Sequence, residues 1–463
     1  MRNPFLPGLA ALLAAVAGPA TAQQAVAFAA PAASAVIVAP AADPGEVGLE
    51  YWHRLGDSTL SRLLAEALSA NLDVRAAEAR VRSVRAARSR ATFQLLPEGQ
   101  ATGGYTRRRL AGGSFPGVNG RLPNEDLWDA GLDASWEVDV FGRLRSNVRA
   151  QGALVQVSEA DLRGVRVALA AEMARAYFDL RGAQEQLAVA RRNAENQQRT
   201  LDLTRERLDA GRGTAFDTER ARAQLAVTRS QIPAVQAQAD AATYRISVLL
   251  GRAPTALAGE LATAGITPAF PDSVVVTDAE VIVRQRPDVQ AADRYAAAQS
   301  AFVSAARAEY LPRLSIGGQA GLLAQDASGL GDNGSFRYAV GPVLSWPLFS
   351  FGRIGAAVSQ ARAEEDAARV EHRQATLAAL EEVQNALTRY HAARERAAEL
   401  EAASDASSRA AELARMRYAE GIADFLQVLD AERTQLESEQ LLVVARTDAA
   451  TAYAALYKAL GGR

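Results

Sequence analysis

From Trp128 to Val138, apolar and polar positions alternate without a break. Trp128, Ala130, Leu132, Ala134, Trp136 and Val138 take one face, and Asp129, Gly131, Asp133, Ser135 and Glu137 take the other. A period of two predicts a strand with one apolar and one acidic face. Phe336, Tyr338, Val340, Leu344, Trp346 and Leu348 mark a second strand of this kind. Four strands are expected in all, over 98–110, 124–140, 312–324 and 335–349. Trp128 and Trp136 would lie ~27 Å apart along a strand, or ~20 Å after tilting. A membrane barrel carries an apolar band of ~25 Å edged by aromatic residues, so the spacing fits one. A soluble sandwich strand alternates too, but four strands cannot bury both of its faces. Nor can four strands close a barrel, since the smallest membrane barrels need ~8. Several chains must therefore contribute.

Elsewhere the pattern is helical. Arg143 to Asp209 contains neither proline nor a turn cluster, and at ~1.5 Å per residue it would run roughly 100 Å. Gly355 to Ala419 is similar. Helices this long need a coiled-coil partner, and their Ala-rich faces allow close packing. The stretches DAGRGTAFD (Asp209 to Asp217) and AEGIADF (Ala419 to Phe425) place Gly just past one helix and Thr or Asp before the next, the signature of helical hairpins. Return helices are expected from Asp217 to Leu249, kinked at Pro233, and from Asp424 to Ala459. Each covers about half of its long partner. Thr59 to Gln94 and Pro287 to Tyr310 would line the remaining length.

Strand passes to helix at SWEVDVFGRLR and again at SWPLFSFGRIG. Trp136 and Trp346 stand 210 positions apart, as do Gly211 and Gly421. Nearer the N-terminus the offset is 215, for Asp73 with Asp288 and for Leu96-Pro97 with Leu311-Pro312. A period this long is a duplicated half, not a solenoid repeat. The expected organisation is a signal peptide over 1–22, an Ala/Pro-rich linker over 23–50, a first repeat over 51–256 with its hairpin at 143–250, an equatorial linker over 257–276, and a second repeat over 277–463 with its hairpin at 353–460.

Composition narrows the chemistry. Arg2, the short apolar run from Phe5 to Val16 and the small residues Ala20 to Ala22 read as an export signal. No segment reaches ~18 uninterrupted apolar residues, so any membrane passage must be by strands. A net charge of −2 over 463 residues argues against a nucleic-acid partner. Cysteine is absent, and His53, His372 and His391 lack ligand spacing. No metal or other cofactor is expected. No phosphate loop, nucleophile elbow or metal-binding His pair is found, and the pairs Glu364-Glu365 and Glu381-Glu382 read as solvated helix faces. An enzyme is therefore not expected. Three methionines offer no soft-metal ladder, which disfavours copper or silver as cargo.

The stretches YWHRLGDSTLSRLLAEALSANLDVRAAEARV, MARAYFDLRGAQEQLAVAR, RQRPDVQAADR, LPRLSIGG, LQVLDAERTQL and LYKALGG, with the two FGR junctions, resemble the TolC/OprM-type outer membrane factors of resistance-nodulation-division efflux pumps. They cover nearly all of Tyr51 to Gly462 in the family's order. The resemblance implies a mainly α chain with membrane β-strands. In a homotrimer it would give four strands to a 12-stranded barrel in outer-membrane lipid, above a periplasmic α-barrel of long coiled-coil hairpins. An inner-membrane transporter and a periplasmic adaptor would dock at the hairpin tips. The implied function is a passive exit duct for drugs or other small toxic compounds. A channel for type I protein secretion is the alternative, and a periplasmic coiled-coil scaffold a further one. Many relatives carry a lipid-modified cysteine, which this chain lacks, so anchoring through cysteine is not expected.

Residue by residue, the expectations are these. Trp128, Trp136, Phe336 and Trp346 should edge the membrane, and Asp129, Asp133 and Glu137 should face a water-filled lumen. Gly211, Gly213, Gly421 and Ala423 should expose backbone and small side chains to an adaptor. In the resembled family a hydrophobic ring and an Asp ring close the periplasmic end. FLQVLDAER matches that motif and puts the rings at Leu426 and Asp430, one helical turn apart. Converging carboxylates repel one another, and Arg220 or Arg433 is expected to compensate them.

Overall fold

The structure, a computed structural model, describes residues 49–111, 116–117, 120–263, 268, 270–271, 274 and 279–462. The expected signal peptide, nearly all of the linker and part of the segment 257–276 lie outside the described residues. The elements are α1 (Glu50–His53), α2 (Ser58–Ala70), α3 (Leu72–Phe93), β1 (Glu98–Arg109), β2 (Asn124–Val138), α4 (Arg143–Asp209), α5 (Ala215–Leu249), α6 (Ala279–Gln285), α7 (Pro287–Ala308), β3 (Arg313–Ala324), β4 (Phe336–Ser345), α8 (Phe351–Ala419) and α9 (Phe425–Ala459).

The strands form one antiparallel sheet in the order β1-β2-β3-β4. Trp128 pairs with Tyr105 and Ala324, Asp133 with Gln100 and Gln319, and Trp136 with Ile316. Paired residues point the same way. One face therefore carries Tyr105, Trp128, Leu132, Trp136, Leu322, Phe336, Tyr338 and Leu344; the other carries Gln100, Thr102, Asp129, Asp133, Glu137, Gln319 and Arg337. β4 ends at Ser345, short of the expected 349, because Pro347 has no N–H to give to a ladder. β2 ends at Val138, where the junction begins.

Below the sheet, α4 and α8 run the length of the helical part, with 67 and 69 residues. Near the sheet α4 packs between α3 and α7, and α7 packs on α8; farther away α4 packs on α5 and α9, and α9 on α8. Two shorter helices thus line each long one, as the lengths predict. The run expected from Thr59 divides at Asn71, which caps α3 by accepting from the amides of Asp73 and Val74. Pro233 sits inside α5 without ending it.

Between the two sets of short helices lies the main core. Its centre is aromatic: Tyr51, Trp52, Tyr177, Phe178, Phe270, Tyr390, Tyr453 and Tyr457. Trp52 is fully buried, and the Tyr51 and Tyr453 rings stack at 4.5 Å. The N-terminal segment is therefore fixed to the body through two large rings, each worth ~1.5–3 kcal/mol or more in buried area alone.

Candidate functional site

The duplicated junctions are built differently. In the first, Gly142 adopts a positive φ of 78° ahead of α4, and the Asp139 carboxylate accepts from the backbone amides of Leu144 and Arg145 at 3.1 and 2.9 Å. This satisfies two of the amides a helix start leaves open. Arg143 turns back to Glu137 at 2.8 Å. In the second, the positions of Glu137 and Asp139 are taken by Pro347 and Phe349, Gly352 is already helical, and the Phe349 side chain is fully exposed. Each junction still binds its tryptophan. The Trp136 indole donates to the Leu95 carbonyl at 2.9 Å, and the Trp346 indole to the Tyr310 carbonyl at 3.1 Å.

On the acidic face, Asp129 and Asp133 stand on β2, where Asp133 accepts from the Thr102 hydroxyl at 3.2 Å. Glu137 shares this face and also pairs with Arg143, so it belongs to the junction as well. On the opposite face Phe336 and Trp346 are 62% and 52% exposed, while Trp128 is half-buried against Tyr105.

At the tips, Gly211 and Gly421 adopt positive φ of 70° and 79°, which ends α4 and α8. Thr214 and Asp424 cap the return helices, accepting from the amides of Asp217 and Gln427. Two expectations change here. Ala423 is buried, so it exposes no small side chain. Gly213 is half-buried, and a Cβ there would stand 3.0 Å from the Leu208 amide nitrogen; the residue closes its own turn. Leu426, 53% exposed, and Asp430, also exposed, share a face of α9. Neither Arg220 nor Arg433 reaches Asp430 within one chain. Arg220 instead lies over the Phe216 ring at 5.3 Å.

Several polar residues that sequence reading missed hold the hairpins together. Arg286 is buried. It donates to the Ala459 carbonyl at 2.8 Å and pairs with Asp288 at 2.8 Å and Glu382 at 2.5 Å. Burial works against the Asp288 charge, but the Arg286 guanidinium outweighs it and holds the carboxyl below its usual range. Glu382 is therefore no solvated face, and Glu365, paired with Arg369 at 2.6 Å, is largely covered. On α9, Glu432 accepts from the Thr200 hydroxyl at 2.7 Å and faces Arg415 at 3.3 Å; Glu439 accepts from Asn193 at 2.8 Å and pairs with Arg192 at 3.2 Å. Burial pushes the Glu432 carboxyl up, against the pull of Thr200 and Arg415. The usable signal was the spacing: Glu432 and Glu439 stand one heptad apart on α9.

A four-stranded amphipathic sheet set on long helical hairpins defines a TolC-type outer-membrane channel protomer. The chain belongs to the outer membrane efflux protein family, whose model matches residues 63–252 and 280–462. It is 31% identical over 422 residues to outer membrane protein OprJ of Pseudomonas aeruginosa, covering 89% of this chain and 86% of that one. It is 30% identical over 420 residues to the pyoverdine export outer membrane protein OpmQ of the same organism, covering 89% and 87%. Among solved structures, the outer-membrane channel OprN superposes with a TM-score of 0.84 at 37% identity, covering 94% of this chain and 98% of that one. The open state of the Neisseria gonorrhoeae MtrE outer membrane channel gives a TM-score of 0.76 at 26% identity, covering 87% and 88%.

Proposed function

We propose that three copies of this chain close a 12-stranded barrel over a helical duct, and that the duct is the outer-membrane exit of a tripartite efflux system. A resistance-nodulation-division transporter and a periplasmic adaptor would deliver drugs or other small toxic compounds to it. The open sheet carries this reading. β1 and β4 each leave one edge unpaired, and lipid does not tolerate unpaired backbone groups, each costing several kcal/mol. Three sheets of four strands remove every edge. With Trp128, Trp136, Phe336 and Trp346 toward lipid, Asp129 and Asp133 line the lumen and favour cations. The names of the relatives, pyoverdine export for OpmQ and a toluene efflux pump for TtgF of Pseudomonas putida, support small molecules over protein as cargo. Another relative is named a probable outer membrane lipoprotein, SilC of Salmonella typhimurium. This chain has no cysteine to modify, and Tyr51 and Trp52 fix its N-terminal segment to the protein's own core. No reaction is assigned to it.

Light scattering of the purified protein should give three times the mass of one chain without its signal peptide, and planar bilayers should show cation-preferring channels. Deleting the gene should sensitise cells to small toxic compounds. A monomer, or a trimer that never conducts, would sink the reading.

A further inference from the structure

Both long helices leave the sheet at one end, after Val138 of β2 and Ser345 of β4. With the helices in the periplasm, the opposite end, where β1 returns to β2, reaches the cell surface. The apolar face of the sheet changes character there. On β1 it runs Gly99, Ala101, Gly103 and Tyr105, and then, in unbroken register, Arg107 and Arg109. On β2, Asp126 and Asn124 lie beyond Trp128. Of the residues on this face in the four strands, only Arg107, Arg109 and Asp126 carry charge. All three stand beyond the Tyr105 and Trp128 rings, whose centroids are 4.7 Å apart.

Their height suits a lipid headgroup. Arg107 lies two residues and Arg109 four residues beyond Tyr105, ~7 and ~14 Å along the strand, or ~5 and ~10 Å along the membrane normal at a tilt of ~45°. The polar zone outside the hydrocarbon is ~5–8 Å deep on each side. The two guanidiniums are also oriented alike. Arg107 turns its Nε to the Asp126 carboxylate at 3.7 Å, and Arg109 donates from Nε to the Asn124 side-chain oxygen at 2.8 Å. Asp126 is held in turn by the Tyr105 hydroxyl, which donates to it at 2.9 Å. The terminal amino groups of both arginines donate to no described residue, and both side chains are exposed. Arg108, between them, points to the other face and pairs there with Glu125 at 3.2 Å.

We propose that Arg107 and Arg109 together bind a phosphate group of an outer-leaflet lipid. Two guanidinium forks stand ~7 Å apart on one face of the strand. Each is oriented through Nε and keeps its terminal amines free, the arrangement that takes phosphate oxygens bidentately. Two cations against one carboxylate leave this rim net positive on its lipid side, whereas Glu125 neutralises Arg108 on the lumen side. The inference rests on the three-copy barrel proposed above, which would carry one such site per copy at its surface rim and none at its periplasmic rim. The barrel would thereby be held at a fixed height in the membrane.

Native mass spectrometry of the detergent-purified trimer tests this, with diphosphoryl lipid A and its dephosphorylated form as probes. The wild type should bind the phosphorylated lipid about tenfold more tightly than the other. Arg107→Gln with Arg109→Gln should abolish that preference. Arg108→Gln, which removes a like charge from the lumen face, should leave it intact. Should the double variant not assemble, Arg107→Lys with Arg109→Lys keeps the charge but loses the forks, and should lower the preference several-fold. Inorganic phosphate at the concentration of the lipid should not displace it. The site is wrong, and the barrel stands, if wild-type trimers show no preference, if either double variant keeps it in full, if Arg108→Gln loses it, or if inorganic phosphate displaces the lipid. If the wild type is monomeric in light scattering, both fall.

Discussion

The Trp136 indole N–H donates to the Leu95 carbonyl at 2.9 Å, tying the end of β2 to the chain that has just left α3. The ring faces outward from the sheet while its one polar atom is satisfied by protein, which suits a membrane boundary. Trp136→Phe keeps most of the ring and removes the donor, so it should cost about 0.5–1.5 kcal/mol in thermal unfolding. Trp346→Phe should cost about the same. The two losses should add, because the sites share no partner. Strong non-additivity would mean that the junctions are coupled.

At Gly182 on α4, α9 comes close. A Cβ there would overlap the Thr447 hydroxyl and stand 2.8 Å from its Cγ2. Gly182→Ala should therefore destabilise by about 1–3 kcal/mol despite the better helix propensity of alanine. Adding Thr447→Ala should recover most of the loss. Denaturant midpoints of the two single variants and the double variant would check it; an unrescued loss would place the strain elsewhere.

Glu432 makes the joint between hairpins sensitive to pH. Its folded pKa is raised by burial. The associated stability is fully present below the ordinary glutamate pKa and is lost as pH rises through the folded value. Glu432→Gln removes the titration and keeps an acceptor for Thr200. Its stability relative to wild type should rise between pH ~4 and pH ~8. A difference that is flat across this range would reject the raised pKa.

Leu426 and Asp430 are exposed on one face of α9, as residues closing a shared axis should be. Leu426→Ala with Asp430→Ala should raise the conductance of assembled trimers several-fold in a planar bilayer. Conductance at the wild-type level would put the constriction elsewhere.

Much of this was legible in the sequence for local reasons. No proline or glycine cluster interrupts α4, so its limits followed from Gly142 and Gly211. The strand faces followed from period-two alternation. Position 347 shows the limit of reasoning by repeat: the FGR motif is copied, but Pro347 and Phe349 replace the Glu137 and Asp139 that build the first junction. Glu432 and Glu439 were missed because a charge on a long helix reads as solvated, and Arg286 because it stands in the short break between α6 and α7. Only tertiary packing puts Arg286 beneath Ala459, or Glu432 beside Thr200. The tip residue Ala423 was misjudged for a related reason: a hairpin end can bury its own turn.

The open edges of the sheet have a genetic consequence. On the proposed three-chain ring, no chain can enter the bilayer alone, so insertion and assembly are one event, and its rate depends steeply on chain concentration. A chain with an intact β1 edge and a ruined β4 edge would still join its neighbours and spoil their closure. Expressed equally with wild type, it would leave about one ring in eight free of the defect. Such alleles should be dominant, whereas null alleles should be recessive.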